Sequence, residues 1–104
     1  MKNKNKNYLK KMLLDLLPDN YAERKTSKEL CRILGLSFRN LKELVTELRV
    51  EYPICAVQIG RGGYWISNDK REIKEFIKMI EARKEGYEKT IAVMQNHYGP
   101  TIIN

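Results

Sequence analysis

Apolar residues recur along the chain with two different periods, and the places where the period changes mark its elements. Leu9, Met12, Leu13 and Leu16 fall at i, i+3, i+4 and i+7, which predicts a first helix from about Tyr8 to Leu17, ended by Pro18-Asp19-Asn20. Thr26 followed by Glu29 is a capping-box pattern, so a second helix is expected to begin at Ser27 and run to Leu34. Gly35 suits a left-handed helix end, and Ser37 is placed to cap a third helix with Leu41, Leu44, Val45 and Leu48 on its inner face, ending near Glu51 before Pro53.

The period then shortens to two. "ICAVQIGRGGYWIS" holds two β-rich runs around Gly60-Arg61-Gly62-Gly63, a hairpin signal. With Arg61-Gly62 as a two-residue turn, Ile59 faces Tyr64 and Val57 faces Ile66. Cys55, Val57, Ile59, Tyr64 and Ile66 then form the core face, with Ala56, Gln58 and Trp65 on the other. On this register Trp65 points away from the core face, and packing, for example over the C-terminal helix, is expected ahead of contact with a second subunit or a bound partner. A one-residue slip would reverse the faces. From Asp69 to about His97 the helical period returns: Ile73, Ile77, Ile80, Tyr87, Ile91 and Met94 stand at steps of four, three, seven, four and three, interrupted by Lys84 and Gly86.

Length and composition narrow what this arrangement can do. A chain of 104 residues is expected to be one domain with a modest core and no large catalytic cleft. No apolar run approaches the roughly 18 residues needed to cross a membrane, and the basic start lacks the apolar stretch and cleavage site of a secretory signal, so the cytoplasm is the expected location. Cys31 and Cys55 lie in apolar contexts away from metal-ligand spacing, and His97 is the only histidine. Zinc, triad and phosphate-loop chemistry lack their residues, so no enzyme, metal or cofactor is expected. The formal charge is +7, but residues 1 to 11 hold five lysines and no acid, leaving +2 for the rest. The sequence therefore reads as a flexible basic arm over 1–7, a body over 8–68, a long helix over 69–98 and a tail over 99–104.

Two short helices joined by a glycine turn, the second capped by a small hydroxyl residue, form a helix-turn-helix. Cys31 four residues before Gly35, with Leu30, Leu34, Leu36, Leu41 and Leu44 where the helices touch, follows that pattern, although alanine is commoner than cysteine at the small position. With the hairpin behind it, the stretch over roughly residues 8 to 80 resembles winged helix-turn-helix DNA-binding proteins. "SFRNLKELVTELR", "GRGGYWIS" and the long charged helix are similar to small ones encoded by phages and plasmids of Gram-positive bacteria.

The resemblance implies an α+β fold of three helices and a two-stranded wing followed by a long C-terminal helix. It also implies a sequence-specific double-stranded DNA-binding protein acting in transcription regulation, DNA replication or conjugation. The third helix would enter the major groove, where the outward residues Ser37, Phe38, Arg39, Asn40, Lys42, Glu43, Thr46 and Arg49 are the candidates. Arginine can pair bidentately with guanine and asparagine with adenine, serine and threonine can hold phosphate, and Phe38 either meets a thymine methyl or packs as a staple. Glu43 either selects cytosine or screens its basic neighbours. Lys28, Gln58 and Arg61 complete the expected interface, with Arg61 at the hairpin tip on the minor groove or backbone.

A helix over 69–97 is about 43 Å long at 1.5 Å per residue, longer than a body of this size. Its apolar stripe is then covered either by a second copy, giving a homodimer on two half-sites, or by a bend at Gly86 that folds it back. The near-neutral body also admits a different class: a winged-helix adaptor that tethers or loads a replication or conjugation enzyme.

Overall fold

The computed structural model describes residues 3–58 and 60–98 and has an α+β architecture of four helices and a two-stranded antiparallel sheet. In chain order these are α1 (Asn3–Leu16), α2 (Ser27–Leu34), α3 (Phe38–Leu48), β1 (Ile54–Val57), β2 (Gly63–Ile66) and α4 (Lys70–Tyr98). Two compact units divide between Ile73 and Lys74.

The helix boundaries around Gly35 follow from side-chain chemistry. The Glu29 amide donates to Thr26 Oγ1 at 3.1 Å, while the Thr26 amide and hydroxyl both donate to Glu29 Oε1, closing a reciprocal box that fixes the start of α2. At the other end Gly35 takes φ 67°, and its amide bonds back to the Cys31 carbonyl. A side chain is disfavoured in that conformation, so glycine lets the chain leave α2 at a fixed angle. Ser37 then restarts the helix, its hydroxyl accepting from the Asn40 amide at 3.2 Å. The buried residues of α2 and α3, Leu30, Leu34, Leu41, Leu44, Val45 and Leu48, close on Leu13 and Leu17 from the α1 side and on Ile54 of β1 to form one core. The α3 inner face is the one its spacing predicts.

Two boundaries differ from expectation. Helix α1 starts at Asn3 rather than Tyr8, so residues 3–7 are helical and not a flexible arm; Lys6 on this extra turn is fastened to α3 by ion pairs. Helix α3 stops at Leu48, short of Glu51, because the chain folds under its end with the Tyr52 amide on the Leu48 carbonyl at 2.9 Å. Helix α4 has the long span expected of it and runs through Lys84 and Gly86 without the alternative bend, and every residue from Glu81 to His97 is exposed. The expected tail over 99–104 lies outside the described residues.

The hairpin register is a larger correction. Ile54 pairs with Ile66, Cys55 with Trp65, Ala56 with Tyr64 and Val57 with Gly63, so Val57 meets Gly63 instead of Ile66. The chain does not turn on Arg61-Gly62 alone: Gln58 and residues 60–62 lie between the strands, and Gly60, Gly62 and Gly63 take φ of 65°, 72° and 137°. Glycine takes each of these conformations without steric cost. A Cβ on Gly62 would stand 3.0 Å from the Val57 carbonyl oxygen, and one on Gly63 would stand 2.7 Å from Arg24 Cγ. Ile59, expected opposite Tyr64, lies outside the described residues.

An odd shift turns one strand over relative to its partner. Ile54, with Tyr64 and Ile66, therefore faces the helical core, and Cys55 lies beside Trp65 on the reverse face. That face is covered as well, since Trp65 is 4% exposed and Cys55 1%. The indole Nε1–H donates to Glu72 Oε1 at 2.9 Å in the first turn of α4, and its ring meets Tyr21 edge-on at 5.3 Å. Trp65 thus lies on the face expected for it, and of the roles open to it the structure shows packing against the start of α4. Trp65→Ala should lower unfolding free energy by about 3–5 kcal/mol, the usual cost of emptying a large aromatic site. Urea melts followed by circular dichroism would measure it, and a loss under about 1 kcal/mol would contradict a buried indole.

Candidate nucleic-acid interface

The outward side of α3 separates into two stripes by helical spacing. Arg39, Lys42 and Thr46 at i, i+3 and i+7 form one, and Asn40, Glu43 and Glu47 at the same steps form the other. The acidic stripe is drawn to α1: Lys6 Nζ lies 2.9 Å from both Glu43 Oε1 and Glu47 Oε2, and Lys10 Nζ lies 3.0 Å from Glu47 Oε1. These hydrogen bonds hold the Lys6 ammonium above its ordinary pKa and the Glu47 carboxyl below its own. Exposed pairs of this kind add little stability. Their effect is on charge placement, because both acids of α3's outer side are matched by lysines and the Arg39–Lys42 stripe carries no acid.

Phe38, Arg39, Lys42, Glu43 and Thr46 are exposed on α3, and Asn40 is half-buried. The Ser37 hydroxyl accepts the Asn40 amide as the helix cap, and the Thr46 hydroxyl donates to the Lys42 carbonyl at 2.8 Å. Arg49 is exposed overall, but its Nε–H donates to the Ile54 carbonyl at 3.0 Å in a part-buried bond that joins the end of α3 to β1. Lys28 is exposed in the first turn of α2, and Gln58 and Arg61 are exposed in the connection between the strands. The structure brings Arg39, Lys42 and Thr46 onto one stripe and sets Asn40 and Glu43 on the other.

Arg24 is a residue that sequence patterning misses. Its Nε–H donates to the Gly62 carbonyl at 3.0 Å, its Nη1 donates to the Tyr21 carbonyl at 3.1 Å, and its guanidinium carbon sits 4.1 Å from the centre of the Tyr21 ring. The guanidinium therefore clamps the base of the hairpin connection through a charged hydrogen bond and a cation–π contact. Lys25 adds a short bridge to Tyr64, with reciprocal amide bonds of 3.0 and 2.8 Å. A signal was present only in Gly63, whose missing side chain leaves room for the Arg24 stem.

Both thiols are free, and burial pushes their pKa values up, which leaves them poor nucleophiles. Among the described residues no group of three or more His, Cys, Asp or Glu is placed to hold a metal ion, and no helix is long and apolar enough to cross a membrane. No family model, curated protein or solved structure matches the chain.

The Glu29 carboxyl is held below the ordinary carboxylate range, chiefly by the Thr26 amide and hydroxyl, with the charges of Lys25 and Arg61 helping. A lowered folded-state pKa means that the native chain binds fewer protons than the unfolded one. Its stabilisation is present above the unfolded value, about 4.3 for Glu, and is lost as pH falls through the lower folded value. Glu29→Gln should therefore reduce the loss of stability between about pH 6 and pH 3, read from urea midpoints at each pH. An equal loss in both chains would show that the box does not carry this linkage.

Proposed function

We propose that the chain is a sequence-specific double-stranded DNA-binding protein with a winged helix-turn-helix fold. Helix α3 is its recognition helix, and the β1–β2 connection is its wing. The carrying observation is the acid-free stripe of α3, on which Arg39 and Lys42 stand exposed while Lys6 and Lys10 hold both acids of the neighbouring stripe. An α-helix fits the major groove, where arginine reads guanine O6 and N7, and lysine reads a base edge or neutralises phosphate.

In this reading Arg39 reads base edges near the start of the helix and Lys42 follows along the groove. Phe38, 58% exposed, supplies an apolar contact to a thymine methyl. Arg61, at the tip of the hairpin connection, lies on the flanking groove or backbone, with Gln58 beside it. Lys28 contributes from α2 to phosphate binding. Arg24 and Arg49 bond to backbone carbonyls and hold the scaffold, so their loss would act through folding. The protein works by binding, as a regulatory or accessory protein of a plasmid or phage in transcription, replication-origin or transfer-origin control. A second copy, joined through α4, doubles the interface.

A duplex selected from a random library supplies the target for the test. On it, Arg39→Ala should cost about 1–3 kcal/mol and relax preference at one base pair, measured by fluorescence anisotropy against the selected and a mutated duplex. Wild-type affinity should also fall steeply with salt, since each phosphate neutralised contributes about 0.9 to the log-log slope. Affinity indifferent to salt, or no affinity for any duplex, would overturn this reading in favour of an adaptor that docks on protein.

The charge sorting makes a separate claim. Lys6→Ala should weaken binding to the same duplex by releasing two carboxylates beside the basic stripe, and adding Glu43→Gln and Glu47→Gln should restore it. A triple variant as weak as Lys6→Ala alone would mean that Lys6 itself meets the phosphates.

A further inference from the structure

We infer that α4 pairs with α4 of a second copy of this chain as a parallel, in-register, two-stranded coiled coil, with Lys84 as its polar core layer. The inference rests on the dimer proposed above and adds its geometry. The seven-residue step between Ile80 and Tyr87 is divided by Lys84 into four and three, so the run Ile73, Ile77, Ile80, Lys84, Tyr87, Ile91, Met94 alternates four and three without a break. That is a heptad with Ile77, Lys84 and Ile91 at a, and Ile73, Ile80, Tyr87 and Met94 at d. A strict seven-residue repeat stays on one face only if the helix supercoils around another.

The exposed part of this stripe is wide. Ile77 is 48% exposed, Ile80 41%, Tyr87 68%, Ile91 54% and Met94 55%. Two ion pairs of the helix, Lys78–Glu75 and Lys89–Glu85, join b and f positions on the opposite side. They leave the seam clear.

Charge at the flanking positions selects the partner and its direction. With these assignments Arg83 is at g and Glu88 at e, and neither is ion-paired among the described residues. In a parallel pair the g residue faces the e residue five positions on in the partner, so Arg83 meets the second copy's Glu88 twice by symmetry, and no like charges meet at these sites. In the antiparallel pairing with greatest overlap, e faces e, and Glu81 meets the second copy's Glu88 twice. The sequence is self-complementary only in the parallel sense. Isoleucine at both a and d favours three or four strands, but each added strand would bring another Lys84 into the core. Lys84, the one lysine at a within the Ile73–Met94 run, limits the assembly to two strands and fixes the register.

Tyr87→Cys places thiols side by side across a parallel, in-register seam, so mild oxidation should convert most of this variant to a covalent dimer on a non-reducing gel. Wild type and the outer-face variant Glu75→Cys should stay uncrosslinked under the same treatment. Arg83→Glu should raise the dimer dissociation constant about tenfold in sedimentation equilibrium, and Arg83→Glu with Glu88→Arg should restore it. A Tyr87→Cys chain that sediments as a dimer but does not crosslink would overturn the orientation and leave the dimer standing. So would a charge swap that does not rescue. A wild-type chain that is monomeric at tens of micromolar would overturn the pairing itself. None of these readings depends on DNA, so they fail or hold apart from the recognition surface.

Discussion

A carboxylate in the first turn of α4 organises the sheet. Glu72 Oε1 accepts the Trp65 indole at 2.9 Å and the Ser67 hydroxyl at 2.6 Å, and Ser67 is itself fully buried. A hairpin of two four-residue strands cannot hold itself together in water. Here one face joins the leucine core and the other is closed by Trp65, Tyr21 and this acceptor, so the strands are buried from both sides. Arg24 then fastens the connection that the strands leave behind. Without the polar end of this arrangement the indole N–H and the serine hydroxyl would be buried unpaired, a larger penalty than the bonds themselves are worth.

The helical body was legible because its signals are local. Thr26, Glu29, Gly35 and Ser37 act on residues within one turn of themselves, and the Leu41–Leu48 face needs only the helical period. The hairpin was legible as a hairpin and wrong in register. Gly60, Gly62 and Gly63 each permit a reversal, and the close approach of Arg24 to Gly63 comes from a part of the chain that the local pattern does not include. The error fell on β1 alone: Tyr64 and Ile66 keep the core face and Trp65 the reverse one, while Cys55 and Val57 change sides. The start of α1 was missed for a similar reason: the Lys-Asn alternation offers neither cap nor apolar period, and the pairing of Lys6 is with residues 37 and more positions away.

The candidate surface on α3 was legible in its membership but not in its internal order. Spacing placed Arg39, Lys42, Glu43 and Thr46 outside, and the structure has them exposed. Which side of the helix was acidic in effect depended on α1. A lysine pair reaching across from another helix turns a mixed face into one basic stripe and one neutralised stripe, and no periodicity in α3 alone could reveal that.

The Glu72 junction also gives the molecule a built-in reporter. Trp65 is the only tryptophan of the chain, and it sits where the sheet meets α4, whereas the far-ultraviolet dichroism is dominated by four helices. Emission and dichroism therefore watch different parts of one fold. If the hairpin lifts from α4 before the helices melt, the two signals will separate along a denaturant gradient, and their gap is the free energy of that local opening. The hierarchy of stability within this small protein can be read without labelling it.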